Sequence, residues 1–456
     1  MSQQIRIGSA KRLELLRQRD LLDLILSLAV FIPVFIFVLD GGLVGIDSLT
    51  AAISSFNRVV ALVGTSILLI HMLLVARLSW IESVLGLDGA TTRHKKLGRP
   101  LIYILMLHML LSVTHYSFQS GVNIGQGLID LNLSYFEIGL STIALGLMIF
   151  VAYSSAVSIR KKISYESWQA IHILSYLAVL IAIPHQFVFG TDFLAQPWMT
   201  TFFMALYLFV FGNILWFRIG KPLTQSFGLR VSEVVQEKNN TTSVYIDGKR
   251  LRKIHFEAGQ FFMLRVFKRG MWLQSHPFSV SSSPDEDRLR FTIGARGDFT
   301  EQIASLKPGT RVSLDGPFGI FSEKTRTHRE LVMIAAGIGV APVRSLARSV
   351  VSEEGDVTII YRVNDSNDAA LLEELEEISK TRGHRLIVLE GDRQGDSWLP
   401  GENSVPDYAR LIEIAPNVLN SDIYICGPAA WANSVQKTLS KLNLDKQQVH
   451  AEEFAW

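Results

Sequence analysis

Cysteine is nearly missing from this 456-residue chain: Cys426 is the only one. No internal disulfide framework is possible, and a lone thiol fits a soluble part facing a reducing cytosol. Net charge is scarce as well. Forty-four Lys and Arg against 42 Asp and Glu leave +2, too little to imply nucleic-acid binding. The start of the chain lacks the marks of a cleavable signal peptide. Its first apolar run begins near Leu21, is long enough to span a bilayer, and has no small-residue cleavage site. A full G-x-G-x-x-G turn is lacking too, so any dinucleotide reading has to rest on context.

What the chain does have is apolar sequence, 48% of its residues, unevenly placed. Six segments are long enough to cross a membrane: Leu21–Leu39, Val59–Ala76, Leu101–Phe118, Ile138–Val157, Ala170–Phe189 and Met199–Phe217. Basic residues cluster on one side. Arg6, Lys11, Arg12, Arg17 and Arg19 precede the first span, and Arg77, Arg93, Lys95, Lys96 and Arg99 follow the second. Arg160, Lys161 and Lys162 follow the fourth span, and Arg218 and Lys221 the sixth, while the alternate loops hold only Arg58. The asymmetry predicts a multi-pass protein of the cell membrane with both termini cytoplasmic. The expected fold is an α-helical membrane bundle of six spans (1–220), followed by a β-barrel domain (221–325) and an α/β domain (326–456).

Histidine placement gives the bundle its chemistry. His94 and His108 are fourteen residues apart around the third span, and His172 and His185 thirteen apart on the fifth. Both separations are about 20 Å along a helix. With both spans running outward, His94 matches His172 in depth near the inner face, and His108 matches His185 near the outer face. Two stacked His/His pairs suit two haems, each iron held from both sides. His71 and His115 have no partner at this spacing and read as structural. Pro100 should bend the entry to the third helix.

The stretches 76–99 and 164–190 resemble the transmembrane domain of the ferric reductase/NADPH oxidase family. The resemblance implies that His94, His108, His172 and His185 ligate two b-type haems.

Beyond Gly220-Lys221-Pro222 the pattern changes to strands and turns. LRVSEVV, TTSVYID and GQFFMLRVF alternate as in a small antiparallel barrel. HPFSVSSSP (276–284) offers an aromatic strand followed by hydroxyls and N–H groups that could line a flavin and grip its pyrophosphate. From Glu330, ELVMIAAGIGVAPVRSLARSV reads as strand, glycine turn and helix, the arrangement that places a phosphate at a helix N-terminus. Three further strands follow, VTIIYR, RLIVLEG and a final DIYICGP. Arg362, after the second strand, could pair the 2′-phosphate of NADPH.

This order resembles the ferredoxin–NADP reductase superfamily. The resemblance implies FAD against His276, Pro277, Phe278 and Ser279, with the Ser279 hydroxyl near flavin N5, and FAD phosphates at Gly297 and Thr300. It places the nicotinamide nucleotide, NADPH or NADH, on Gly337, Gly339 and Pro342 and on Cys426-Gly427-Pro428. Glu452 and Phe454 match its terminal E-x-F, whose phenylalanine covers the flavin. His276 stands where soluble reductases carry arginine, as in the membrane branch.

The function so implied is a transmembrane oxidoreductase. Electrons from cytosolic NAD(P)H would pass through FAD and two haems to oxygen or a ferric chelate outside. The outer loops offer chiefly Asp40, Asp47, Asp130 and Asp192 as iron-binding oxygens, and Arg58 as a cation for an anion such as superoxide. An electron-donor subunit for a separate reductase is the alternative. A six-helix channel or transporter with a nucleotide-binding regulatory domain, its histidines a proton relay, is another.

Overall fold

The computed structural model describes residues 9–160, 162–272, 274–393, 395, 397–401, 405–445 and 447–453. Arg6, Lys161 and Phe454 lie outside the described residues. The chain forms two compact units: Asp20–Ile81 with Asp88–Phe217, and Arg218–Trp456 with Met1–Arg19 and Glu82–Leu87.

Among the described residues, six helices are long and apolar enough to cross a membrane. They run Ser9–Leu39, Leu49–Leu73, Ser79–Ser120, Phe136–Ser154, Tyr165–Phe189 and Pro197–Leu215. Large apolar side chains such as Phe31, Phe35 and Leu208 remain exposed on them, a surface suited to lipid rather than water. Side-chain caps fix two starts. Ser48 accepts the Ala51 N–H ahead of the second helix, and Ser164 accepts the Ser167 N–H ahead of the fifth. The fourth and fifth helices pack against each other along their length.

Two boundaries differ from the sequence expectation. The second helix begins ten residues before Val59, so Asn57 and Arg58 are helical. The third begins at Ser79, so the basic stretch Arg93–Arg99 is helix rather than loop. Its non-helical residue is Gly86 (φ 67°, ψ 166°), and the helical conformation runs on through Pro100. A side chain disfavours positive φ, so a glycine is where this helix can change direction.

The soluble unit holds eleven strands among the described residues. Six belong to its first lobe: β1 (Arg230–Gln236), β2 (Thr241–Asp247), β3 (Phe261–Val266), β4 (His276–Ser279), β5 (Leu289–Gly294) and β6 (Val312–Phe318). The expected barrel is not closed. Two antiparallel three-stranded sheets, β1-β2-β5 and β4-β3-β6, face a common core of Val244, Phe262, Leu264, Phe291 and Leu314. Single bridges, Arg230 to Arg311 and Val280 to Phe291, link their edges. β4 is only four residues long, too short to carry a continuous ladder round the seam.

The second lobe is a parallel sheet in the order β11-β10-β7-β8-β9. Its strands are β7 (Glu330–Ala336), β8 (Val357–Val363), β9 (Arg385–Glu390), β10 (Ser421–Gly427) and β11 (Val449–Glu453). Every residue of β8 and β10 is buried, as a sheet covered on both faces requires. Met333 and Tyr361 pack in one core and Val332 and Ile360 in another, the period-two split of a covered sheet. The last strand was not expected: 449–453 is no tail but an edge strand parallel to β10.

Candidate functional site

Histidine rings meet in two places inside the membrane unit. His94 and His172 have ring centres 6.1 Å apart, and His108 and His185 have theirs 6.4 Å apart. Imidazole nitrogens bind a first-row metal at about 2 Å, and the ring centre lies about 1 Å further on. Two imidazoles on opposite sides of one iron therefore put their centres roughly 6 Å apart. Both pairs fit that spacing.

The other ring nitrogen is engaged in all four. His94 Nδ1 lies 2.9 Å from the His71 carbonyl oxygen, and His185 Nδ1 bonds to the Ala182 carbonyl. A carbonyl only accepts, so both Nδ1 atoms carry hydrogen. His172 Nδ1 is 3.3 Å from Ser155 Oγ. That hydroxyl donates to the Val151 carbonyl and accepts the Trp168 Nε1–H, so it has no proton left and accepts from His172 as well. His108 Nδ1 faces Asn57 Oδ1 at 2.8 Å. In the Nδ1–H tautomer the ring's lone pair lies on Nε2, the atom that ligates a metal.

His71 and His115 make other contacts. His71 stacks on His94 with ring centres 3.7 Å apart, and His115 Nδ1 lies 3.3 Å from the Thr50 carbonyl. Arg58 is committed too. Its Nε donates to Asp192 Oδ2 at 2.9 Å, and its guanidinium lies 4.6 Å from the Phe37 ring centre. Neither Arg58 nor Asp192 is therefore an idle charge.

In the first lobe, β4 presents His276, Pro277, Phe278 and Ser279 in order, paired antiparallel with β3. His276 and Phe278 both lean on Phe299, at 4.3 and 6.2 Å between ring centres. Phe299 comes from the turn of Gly297 and Thr300, so the two expected flavin segments are brought together by a residue not singled out in the sequence. Thr300 shapes the turn: its hydroxyl accepts the Arg296 N–H and donates to the Gly297 carbonyl. The Ser279 side chain is nearly buried, and its hydroxyl makes no hydrogen bond among the described residues. A polar atom placed so is suited to a bound group.

The serines beyond β4 behave differently from expectation. Ser281, Ser282 and Ser283 are fully buried, and two of their hydroxyls serve β5. Ser281 Oγ bonds to the Arg290 carbonyl and to Thr292, and Ser282 Oγ accepts the Arg290 N–H. These two hydroxyls lock strands instead of gripping a pyrophosphate.

In the second lobe the chain runs from β7 to β8 and β9 on one side, then returns to place β10 on the other side of β7. The carboxyl ends of β7 and β10 thus flank a topological switch point, where open α/β sheets bind nucleotides. Gly337 and Gly339 follow β7, Pro342 lies in the first turn of the helix Val340–Ser349, and Gly427 and Pro428 close β10. A methyl group built on Gly339 would lie 2.0 Å from the Cys426 carbonyl oxygen, so only glycine lets the two loops touch. Arg362 is 5% exposed and turned into the sheet, its Nη1 donating to the Val363 and Leu389 carbonyls. It is not an open cation at the strand end.

Three family models match the chain. Residues 60–183 match the ferric reductase like transmembrane component, 226–322 an FAD-binding domain and 333–437 the oxidoreductase NAD-binding domain. The chain is a ferric reductase/NADPH oxidase-type fusion. Its FAD-binding and NAD-binding domains point to an oxidoreductase, and the six apolar helices among the described residues with the matched transmembrane component mark a multi-pass membrane protein. The fusion is 27% identical over 241 residues to a 3-ketosteroid-9-alpha-monooxygenase ferredoxin reductase component of Rhodococcus rhodochrous, covering 51% of this chain and 66% of the relative. It is 27% identical over 236 residues to a flavohemoprotein of Bacillus subtilis, covering 49% and 58%. The fusion thus spans less than two thirds of each of these relatives. Among solved structures, the flavohem-like FAD/NAD-binding domain of a Vibrio cholerae nitric oxide dioxygenase matches at 23% identity with a TM-score of 0.42, over 50% of this chain and 98% of that one.

The fusion's two soluble lobes are joined by an ionic cluster, its two arginines buried and its carboxylates partly exposed, that the sequence did not reveal. Arg290 of β5 makes a two-pronged pair with Glu374 at 2.8 and 2.9 Å. Arg344 donates to the same carboxylate, to Glu286 and to the Ser281 carbonyl, and Ser345 donates to the Ser282 carbonyl. Burial alone would raise the Glu374 carboxyl, but Arg290 and Arg344 outweigh it and hold it below the usual range. Glu374 belongs to an acidic run on the helix Leu372–Arg382 whose neighbours Glu373 and Glu376 are exposed.

Cys426 is wholly buried at the end of β10, beside Ala335 of β7 and Glu452 of β11. Burial, with the Glu452 carboxylate second, pushes its thiol well above the ordinary value, so it is a neutral thiol at pH 7. Iodoacetamide at pH 8 is expected to leave it unmodified in the native protein and to alkylate it once unfolded. Rapid native labelling, read by mass spectrometry, would contradict this placement.

Proposed function

We propose that this fusion carries electrons from cytosolic NADPH or NADH across the membrane to an acceptor outside, using FAD and two b-type haems. The observation that supports it most is the pair of histidine couples, 6.1 and 6.4 Å between ring centres, in a chain that also holds flavin and nicotinamide-nucleotide domains. Basic residues flanking the spans favour a cytoplasmic soluble unit and cytoplasmic termini.

His94 with His172 would hold the inner haem, and His108 with His185 the outer one. His276, Pro277, Phe278 and Ser279 would hold the flavin ring, with the Gly297–Thr300 turn at its phosphates. Gly337, Gly339, Pro342, Gly427 and Pro428 would seat the nucleotide at the switch point, with Cys426 as a neutral packing thiol. When bound, FAD supplies the step from a two-electron hydride to single electrons, and the haems supply one-electron carriage. Because both His108 and His185 would be taken up in holding the outer haem, the acceptor would be reduced without a ligand position at that iron. Arg58 does not recruit an anion in this conformation, because Asp192 holds it. The proposed acceptors are oxygen, giving superoxide, or a ferric chelate.

Purified protein reduced with dithionite should show a haem b spectrum with about two haems per chain. A haem-free chain would sink the proposal. NADPH and NADH oxidation, each with oxygen or ferric citrate and a superoxide dismutase control, identifies nucleotide and acceptor. The names of relatives such as the ferredoxin reductase component favour a second reading, a donor subunit for a separate reductase. A haem-loaded chain inert toward both acceptors alone would select it.

A further inference from the structure

The inner pair is met by a main-chain carbonyl at His94 and a serine hydroxyl at His172, and the outer pair by a side-chain amide at His108. Asn57, on the second helix, faces the third helix with both ends of its amide in use. Asn57 Oδ1 lies 2.8 Å from His108 Nδ1, and Asn57 Nδ2 lies 3.0 Å from Ser112 Oγ. Ser112 Oγ in turn donates to the His108 carbonyl at 2.9 Å, four residues back on the same helix. The loop runs from the His108 ring through Asn57 and Ser112 to the His108 backbone.

Proton counting gives this loop one sense. A serine hydroxyl has a single proton, and that of Ser112 goes to a carbonyl that can only accept. Ser112 Oγ must then accept from Asn57, which turns the NH2 group toward Ser112 and the amide oxygen toward His108. His108 Nδ1 must carry hydrogen, and its Nε2 carries the lone pair, on the side a metal needs. The flipped amide would put hydrogen on Nε2 and remove the ligand. His94 and His185 achieve the same tautomer with main-chain carbonyls, which no substitution can alter. At His108 a side-chain amide holds the ring, and a side chain can be substituted.

We infer that Asn57 is a positioning residue for the outer haem: it fixes the ligating tautomer and orientation of His108 and tunes that haem's potential apart from the inner one. The inference rests on the haem reading above. A hydrogen-bond acceptor on the far nitrogen makes an imidazole a stronger donor to iron, and an anionic acceptor more so, which favours the ferric state. Asn57→Asp should keep two haems and lower one of the two midpoint potentials. Asn57→Leu should raise that same potential or lose that haem, and Ser112→Ala should move it in the direction of Asn57→Leu. The second midpoint should stay fixed throughout.

The experiment is a spectroelectrochemical titration of the full-length protein and these variants, with haem counted per chain. Shifts of opposite sign in the Asp and Leu variants cannot come from a packing defect alone. If Asn57→Leu does not assemble, Asn57→Asp and Ser112→Ala still decide. Wild-type protein with two haems and variants whose midpoints and haem counts match it would overturn the role of Asn57 alone. Wild-type protein without haem would overturn the haem reading, and this inference with it.

Discussion

Replacing His108 with leucine should leave about one haem per chain instead of about two, while NAD(P)H still reduces the flavin. Acceptor-dependent NAD(P)H oxidation should be lost, because the removed side chain holds the outer site and not the nucleotide or flavin sites. The measurement is a haem count by pyridine haemochrome beside a stopped-flow record of flavin bleaching. His115→Leu is the control and should retain both haems. Its ring is one of two histidines in the spans left outside the couples, and its Nδ1 already lies against the Thr50 carbonyl. Loss of a haem in the control, with none lost in His108→Leu, would reassign the outer ligand.

Gly339→Ala should damage nucleotide use more than any other single methyl added to the soluble unit's loops. The new carbon would lie 2.0 Å from the Cys426 carbonyl oxygen and 2.8 Å from the Gly427 nitrogen, so backbone would have to move. Overpacking of this kind costs about 1–3 kcal/mol. If about 1.4 kcal/mol of that falls on the bound nucleotide, its KM rises about tenfold. Thermal unfolding and steady-state kinetics with a dye acceptor would read the two parts. The histidine couples lie in a different unit, so haem content should match wild type. An unchanged KM would remove the glycine turn from the nucleotide site.

Periodicity and spacing carried much of this architecture. The six spans were legible because a bilayer demands uninterrupted apolar helices, and β2 and β8 because sheet residues alternate or are continuously buried. Residues matched across sequence-distant elements were harder to see. The depth match of His94 with His172 followed from helical rise and from the charge asymmetry that runs both spans the same way. Asn57 did not, because it fell just outside an apolar window that began at Val59. Extending that window to Leu49 would have exposed it as a polar residue within a span, a feature that leans toward function. Glu374 was invisible for another reason. Its neighbours Glu373 and Glu376 made an acidic helix face look uniformly solvated, and only the fold shows one acid of the run turned toward Arg290. The open seam of the six-stranded lobe and the edge strand 449–453 were missed because pairing partners are not written in a strand's own residues.

The cluster of Arg290, Arg344, Glu286 and Glu374 bears on how such a chain can be recombined. Arg290 and Arg344 are 4% and 7% exposed, and each finds its counter-charges partly across the seam. A splice near residue 326 that borrows a nucleotide lobe from elsewhere would leave the buried guanidiniums without their counter-charges, which destabilises the fold. The two lobes are therefore one heritable module: a working graft has to carry both sides of the seam, or neither.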